Sequence, residues 1–196
     1  MRLVIALLPG LAIGLALAGC DRQKADTPQA EAAANQARAG AAKQDYPTGV
    51  LDRSHAGTAA PTVSFEDPQG RTTSFAAFRG RPLLVNLWAT WCGPCIVEMP
   101  SLDALAEREG NALQVLALSQ DMEGRDRVTA FFGARRFTRL EPYLDAQLSV
   151  MTNLRIDTLP TTILYDAQGR EVWRMTGMAE WDGERAQRLL REAGVE

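Results

Sequence analysis

Three textures of hydrophobic and polar residues succeed one another along the chain. After Met1-Arg2, residues Leu3 to Ala18 are almost wholly apolar, a run too short and too soon followed by small residues for a comfortable membrane span. That is the layout of an export signal, over residues 1–19. From Asp21 to about Ala60 the chain turns to Ala, Gln, Lys, Asp and Gly with few large apolar side chains. It cannot bury enough surface to offset chain entropy, and residues 20–60 read as a tether. As a coil it would reach roughly 35 Å root-mean-square from its anchor. Patterned sequence starts near Pro61 and fills 61–196. Val63 and Phe65 alternate with polar residues, Asp67-Pro68-Gln69-Gly70 turns, and Arg71 to Thr73 returns, which predicts a hairpin.

Beyond it, Ser74 is placed to cap a short helical segment carrying Phe75 and Phe78, closed by Gly80. Leu83 to Ala89 is a continuous apolar strand. A helix follows from Cys92 to about Arg108, with a kink expected at Pro100, which lacks an N–H and crowds the Ile96 carbonyl. Leu113 to Leu118 predicts a second buried strand, and Arg125 to Arg135, with Val128, Phe131 and Phe132, a second helix, which together make a βαβ unit. Leu140 to Leu144 reads as a short strand, Ala146 to Leu154 as a short helix and Thr161 to Tyr165 as a strand. Asp166-Ala167-Gln168-Gly169 turns into a last strand, Glu171 to Thr176, before an amphipathic helix over Trp181 to Ala193. The fold class is α/β, in one domain.

Composition narrows the chemistry. The 196 residues are 46% apolar and 23% charged with a net charge of −3, so there is no basic face for nucleic acid. One histidine, His55, removes His-based triads and imidazole-rich metal sites. Thiols and carboxylates remain.

The thiols lie in Trp91-Cys92-Gly93-Pro94-Cys95, directly after an apolar strand and at the start of a helix. Cysteines three apart in a first turn share a face and can bridge. The unpaired N–H groups and positive dipole end there stabilise a thiolate. Cys92, outermost, is the expected nucleophile and Cys95 the resolving thiol. Pro94 loses no intrahelical bond in the first turn, and Gly93 leaves the backbone open to a partner. A zinc site needs two further ligands, but Cys20 lies in the leader and His55 in the expected tether, so neither a metal nor a cofactor is called for. Met99, Met122 and Trp88 read as core or gap-filling residues.

Leu17-Ala18-Gly19-Cys20 resembles the bacterial lipobox, in which the cysteine sulfur receives a diacylglycerol. The domain itself resembles the TlpA/ResA/DsbE group of membrane-anchored, thioredoxin-like thiol-disulfide oxidoreductases. The resemblance rests on Asp67 to Arg71, Leu84 to Cys95, Glu98-Met99-Pro100, Leu159-Pro160-Thr161-Thr162 and Asp166 to Arg170. It implies a thioredoxin-like fold: a central mixed β-sheet flanked by helices, an N-terminal β-hairpin and an added helix and strand, which positions 125 to 144 could supply.

The resemblance also implies roles. Pro160 would be a cis-proline aligning a substrate backbone beside the dithiol, with Leu159 next to it facing substrate. Asn86 stands six residues before Cys92, where thioredoxin has a buried Asp that accepts the resolving thiol's proton. Glu98, one turn beyond Cys95, would take over that task, or be a solvated helix charge. Trp91 would cover the disulfide and meet a partner, or pack against the hairpin. The implied activity is a redoxin-type protein-disulfide oxidoreductase in the periplasm, held by lipid to the inner membrane and acting in the reducing direction. It would draw electrons from a membrane thiol donor of the DsbD or CcdA kind. Its substrates would be apocytochrome c in cytochrome c maturation, or copper-site assembly proteins. Two alternatives are a thiol peroxidase of peroxiredoxin type, whose Thr-x-x-Cys spacing Thr90-Trp91-Cys92 does not match, and a non-enzymatic copper-chaperone lipoprotein, whose relatives carry Cys-x-x-x-Cys.

Overall fold

The apolar run Leu83 to Trp88 becomes the middle of the sheet because all six of its residues are buried, which requires cover on both faces. The computed structural model describes residues 48–195, so the export signal, Cys20 and the tether as far as residue 47 lie outside the described residues. Among the described residues eight strands form one sheet: β1 Val50–Asp52, β2 Ser64–Glu66, β3 Thr72–Ser74, β4 Leu83–Trp88, β5 Gln114–Ser119, β6 Tyr143–Leu144, β7 Thr161–Tyr165 and β8 Glu171–Thr176. Their order across the sheet is β1-β8-β7-β4-β5-β6-β2-β3. The β4–β5 and β5–β6 pairs are parallel and the rest antiparallel, which makes the sheet mixed, as expected of a thioredoxin-like α/β fold. The helices are α1 Gly93–Glu109, α2 Arg125–Gly133, α3 Ser149–Leu154 and α4 Glu184–Leu190, with 3-10 turns at Phe75–Phe78 and Arg191–Ala193.

Strand periodicity divides the core. Leu84 and Trp88 of β4 join Met99, Leu102 and Leu105 of α1 in one cluster, together with Phe131 and Trp173. Leu83, Val85 and Leu87 join Phe65, Phe75, Val150 and Ile163 in the other. Each fully buried side chain of this size contributes about 2 kcal/mol by leaving water. Trp88 is fully buried, as is Met99, in agreement with their reading as core.

Several expectations shift. The sheet begins before Pro61: β1 pairs with β8, Val50 opposite Thr176 and Asp52 opposite Arg174. His55 therefore sits in a turn beside Asp52, 3.8 Å away, rather than in a tether. Ser74 precedes the 3-10 turn without a side-chain capping bond. Pro100 lies inside helix α1, which continues to Glu109. The strand expected over 140–144 shortens to Tyr143–Leu144, where Pro142 leaves fewer ladder bonds to make. Met122 is 71% exposed, because it lies past the end of β5, where the buried alternation has stopped.

Candidate active site

Helix α1 starts where β4 runs out at the edge of the parallel pair, and its capping residue is Cys92. The Cys92 N–H donates to the Ala89 carbonyl at 3.1 Å. Its Sγ accepts the Cys95 N–H at 3.3 Å, so the sulfur occupies the place of a capping oxygen, against the donors and positive end of the helix. Pro94 lies in the first turn, where no N–H is missed. Cys92 and Cys95 are joined in a disulfide with Cα atoms 5.3 Å apart. Cys92 keeps 6% exposure and Cys95 none. The two sulfurs are thus unequal: one touches the surface and the other is sealed behind it.

Behind the dithiol lies Glu98, one turn further along α1. It is 2% exposed and so is not a solvated helix charge. Asn86 Nδ2 donates to its Oε1 at 2.7 Å, while the Ala179 N–H at 3.0 Å and Trp181 Nε1 at 3.1 Å donate to its Oε2. Burial pushes its carboxyl up to about 7, against the pull of these three donors. Desolvation penalises the charged form more than the hydrogen bonds reward it. A carboxyl poised near neutrality can give or take a proton at working pH.

Pro160 is buried, its bond from Leu159 is cis, and its carbonyl accepts the Gly177 N–H at 2.8 Å. Gly177 leads into Ala179 and Trp181, so one hydrogen bond ties the proline loop to the segment that carries two of the three donors to Glu98. Trp91 is 61% exposed and does not pack away against the hairpin. With Leu159 it lines a groove of about 470 Å3. Gly93 is exposed and Pro94 half-buried.

Asp121 was not legible as a site residue. It is fully buried just past β5 and accepts the Thr90 N–H at 2.9 Å, the Thr90 hydroxyl at 2.6 Å and the Ser119 hydroxyl at 2.7 Å. Arg127 Nε donates to Thr90 Oγ1 at 2.7 Å. This network fixes the residue two before Cys92. Among the described residues no cluster of three or more His, Cys, Asp or Glu comes together as a metal site.

Comparison with known proteins agrees with this geometry. The model of the Redoxin family matches residues 55–190. The thiol-disulfide oxidoreductase ResA of Geobacillus kaustophilus is 31% identical over 134 residues, 66% of this chain and 74% of the relative. ResA of Geobacillus thermodenitrificans is 31% identical over 125 residues, 62% of this chain and 69% of the relative. A crystal structure of a DsbE-type thiol:disulfide interchange protein from Chlorobium tepidum superposes with a TM-score of 0.62 at 20% identity, covering 70% of this chain and 96% of that one. A capped, half-sealed dithiol on a thioredoxin-like sheet and a family match over most of the described residues lead to one assignment: the chain belongs to the redoxin family, among the thiol-disulfide oxidoreductases of ResA type.

Proposed function

We propose that this protein is a reductase of partner-protein disulfides, tethered outside the cytoplasm at the periplasmic face of a bacterial inner membrane. The observation that carries the reading is Glu98, a sealed carboxyl held near 7 one turn beyond a sealed Cys95. A binding module has no use for a buried proton acceptor there, whereas a resolving thiol does.

In the reduced enzyme Cys92 is the thiolate, stabilised by the helix N-terminus. It attacks one sulfur of the partner disulfide, forming a mixed disulfide and releasing the partner's other sulfur as a thiolate that takes a proton from water. Cys95 then gives its proton to Glu98, directly or through a water, and attacks the Cys92 sulfur. The partner's second sulfur leaves as a thiolate and takes the proton back from Glu98, directly or through a water, so the partner departs with both thiols. Two electrons have passed to it, and the Cys92–Cys95 disulfide remains. Trp91, Gly93, Pro94 and Leu159 meet the partner around the sulfurs, and Pro160 aligns its backbone.

A second thiol pair must restore the dithiol, and a membrane donor of DsbD or CcdA type suits a reductase in an oxidising compartment. Apocytochrome c and copper-site assembly proteins are the substrates the family resemblance favours. Among the described residues no helix is long and apolar enough to cross a membrane. The proposed attachment is a lipid on Cys20, supported by the lipobox-like Leu17 to Cys20. Several acyl chains hold far better than one.

Trapping tests the reading. Cys95→Ser in the full chain should accumulate mixed disulfides through Cys92, and the captured proteins would name the pathway. Capture by Cys92→Ser instead, or by neither variant, would sink the assignment. Release from membranes of a Cys20→Ser variant tests the anchor separately.

A further inference from the structure

The groove beside the dithiol has a chemical bias. Its apolar surface comes from Trp91, Met122, Leu148, Met151 and Leu159, of which Trp91 is 61% and Met122 71% exposed. Its charges are all of one sign among the described residues: Glu123 and Asp157 line it, and no Lys, Arg or His does. Its neutral polar groups have their donors committed. Gln120 Nε2 donates to the carbonyls of Leu118 at 3.2 Å and Ser119 at 3.3 Å, which leaves Oε1 without a partner. The Thr158 hydroxyl donates to Asp157 at 2.9 Å.

A purely apolar occupant would leave the two exposed carboxylates at its edge without a counter-charge, and an acidic one would be repelled. An aliphatic stem ending in a cation satisfies every surface. The stem lies along Met122, Met151 and Leu159, and the head meets the carboxylates and the face of Trp91. Trp91 is bonded directly to Cys92, so such an occupant sits next to the reactive sulfur.

We propose that this groove receives a lysine or arginine side chain of the partner polypeptide, carried within a few residues of the cysteine that pairs with Cys92. The inference rests on the disulfide-reductase reading and adds to it a rule of substrate choice: partners are basic beside the reacting cysteine. Exposed ion pairs are individually weak, and a cation over an aromatic face adds a comparable amount. The preference over a neutral residue is therefore about three- to tenfold in rate.

The test uses the full chain, reduced beforehand, in single turnover with short peptides closed by one disulfide. The peptides differ only in carrying Lys, Gln, Leu or Glu beside the cysteine. The Lys peptide should be reduced about three- to tenfold faster than the Gln peptide and the Glu peptide slowest, with the Lys advantage shrinking as salt is added. In a Glu123→Gln, Asp157→Asn double variant the Lys-to-Gln rate ratio should fall to about one. Equal rates for Lys and Gln, a fastest reaction with Leu, or a ratio unchanged in the double variant would each overturn the inference while leaving the reductase reading in place. Reduction of none of the peptides would remove that reading, and the inference with it.

Discussion

Asn86 Nδ2 donates to Glu98 Oε1 across 2.7 Å inside the protein, and the same nitrogen reaches Thr162 Oγ1 at 2.9 Å. An uncharged amide therefore stands against the carboxyl, and among the described residues no cation offsets the cost of ionising it. Folding holds a proton on Glu98 between its ordinary value of 4.5 and about 7. The folded chain binds that proton while the unfolded chain has released it. The associated stability is fully present below pH 4.5 and is lost as pH rises through 7, to a total of about 3 kcal/mol.

Glu98→Gln should remove this loss. The new amide can accept from Ala179 and Trp181, and a turn of the Asn86 amide brings its unpartnered Oδ1 toward the new N–H. Urea denaturation of the disulfide form, wild type against variant, should show the stability difference moving in the variant's favour between pH 4.5 and 8. Mixed-disulfide release should be slower and lose its pH dependence near 7. Parallel stability profiles would mean that Glu98 does not titrate in that range.

The unequal burial of the two sulfurs should govern their chemistry. In the reduced protein at mildly acidic pH, iodoacetamide should modify Cys92 well before Cys95, because only Cys92 combines access with the helix N-terminus. Peptide mapping after brief labelling reads this directly. Equal labelling would show that the helix opens on reduction, and a preference for Cys95 would reverse the roles.

Asp121 holds Thr90 by two bonds and Ser119 by a third. Asp121→Asn can keep its oxygen on the Thr90 N–H but sets an N–H against the Thr90 hydroxyl, which already accepts from Arg127, so about 1–3 kcal/mol of stability should be lost. The loop before Cys92 should loosen. Thr90→Val removes only the hydroxyl bonds, and the double variant should cost less than the sum of the two single ones. Additive losses in thermal melts would show that the two residues are not coupled.

Some of this was readable from the residues and some was not. Strands β7 and β8 follow the sequence because Pro160 and the Asp166 turn bound them sharply. In that turn the Asp166 carboxylate accepts the N–H groups of Gln168 and Arg170 at 2.9 and 2.8 Å. The dithiol was readable because spacing, strand and helix start are all local. Strand β1 was not, since three residues in a polar stretch acquire meaning only by pairing with β8, more than a hundred positions away. The burial of Glu98 depends on Ala179 and Trp181, some eighty residues downstream. Asp121 belongs to no periodic pattern, and its role exists only once β4 and β5 lie side by side.

The most remote residue with a claim on the site is Gly49. A Cβ placed there would lie 2.7 Å from the Gly177 carbonyl oxygen and 2.8 Å from Met175 Cγ. The backbone contact cannot yield without moving the strand end. The Gly49 N–H also donates to the Met178 carbonyl at 2.8 Å, one residue before the N–H that Ala179 gives to Glu98. Gly49→Ala should therefore push the segment from Gly177 to Ala179 outward, costing about 1–3 kcal/mol by overpacking. It should also lengthen a bond that favours the charged carboxyl, so the proton on Glu98 is held more tightly and the titration moves above 7. Gly183→Ala, where among the described residues no heavy atom beyond its chain neighbours lies within 4 Å of the added carbon, is the control for a bare glycine replacement. Thermal melts should separate the two variants, and the pH dependence of mixed-disulfide release should move to higher pH only in Gly49→Ala. If that variant were destabilised but its release profile coincided with wild type, β1 would be a structural edge strand with no hold on the carboxyl behind the dithiol.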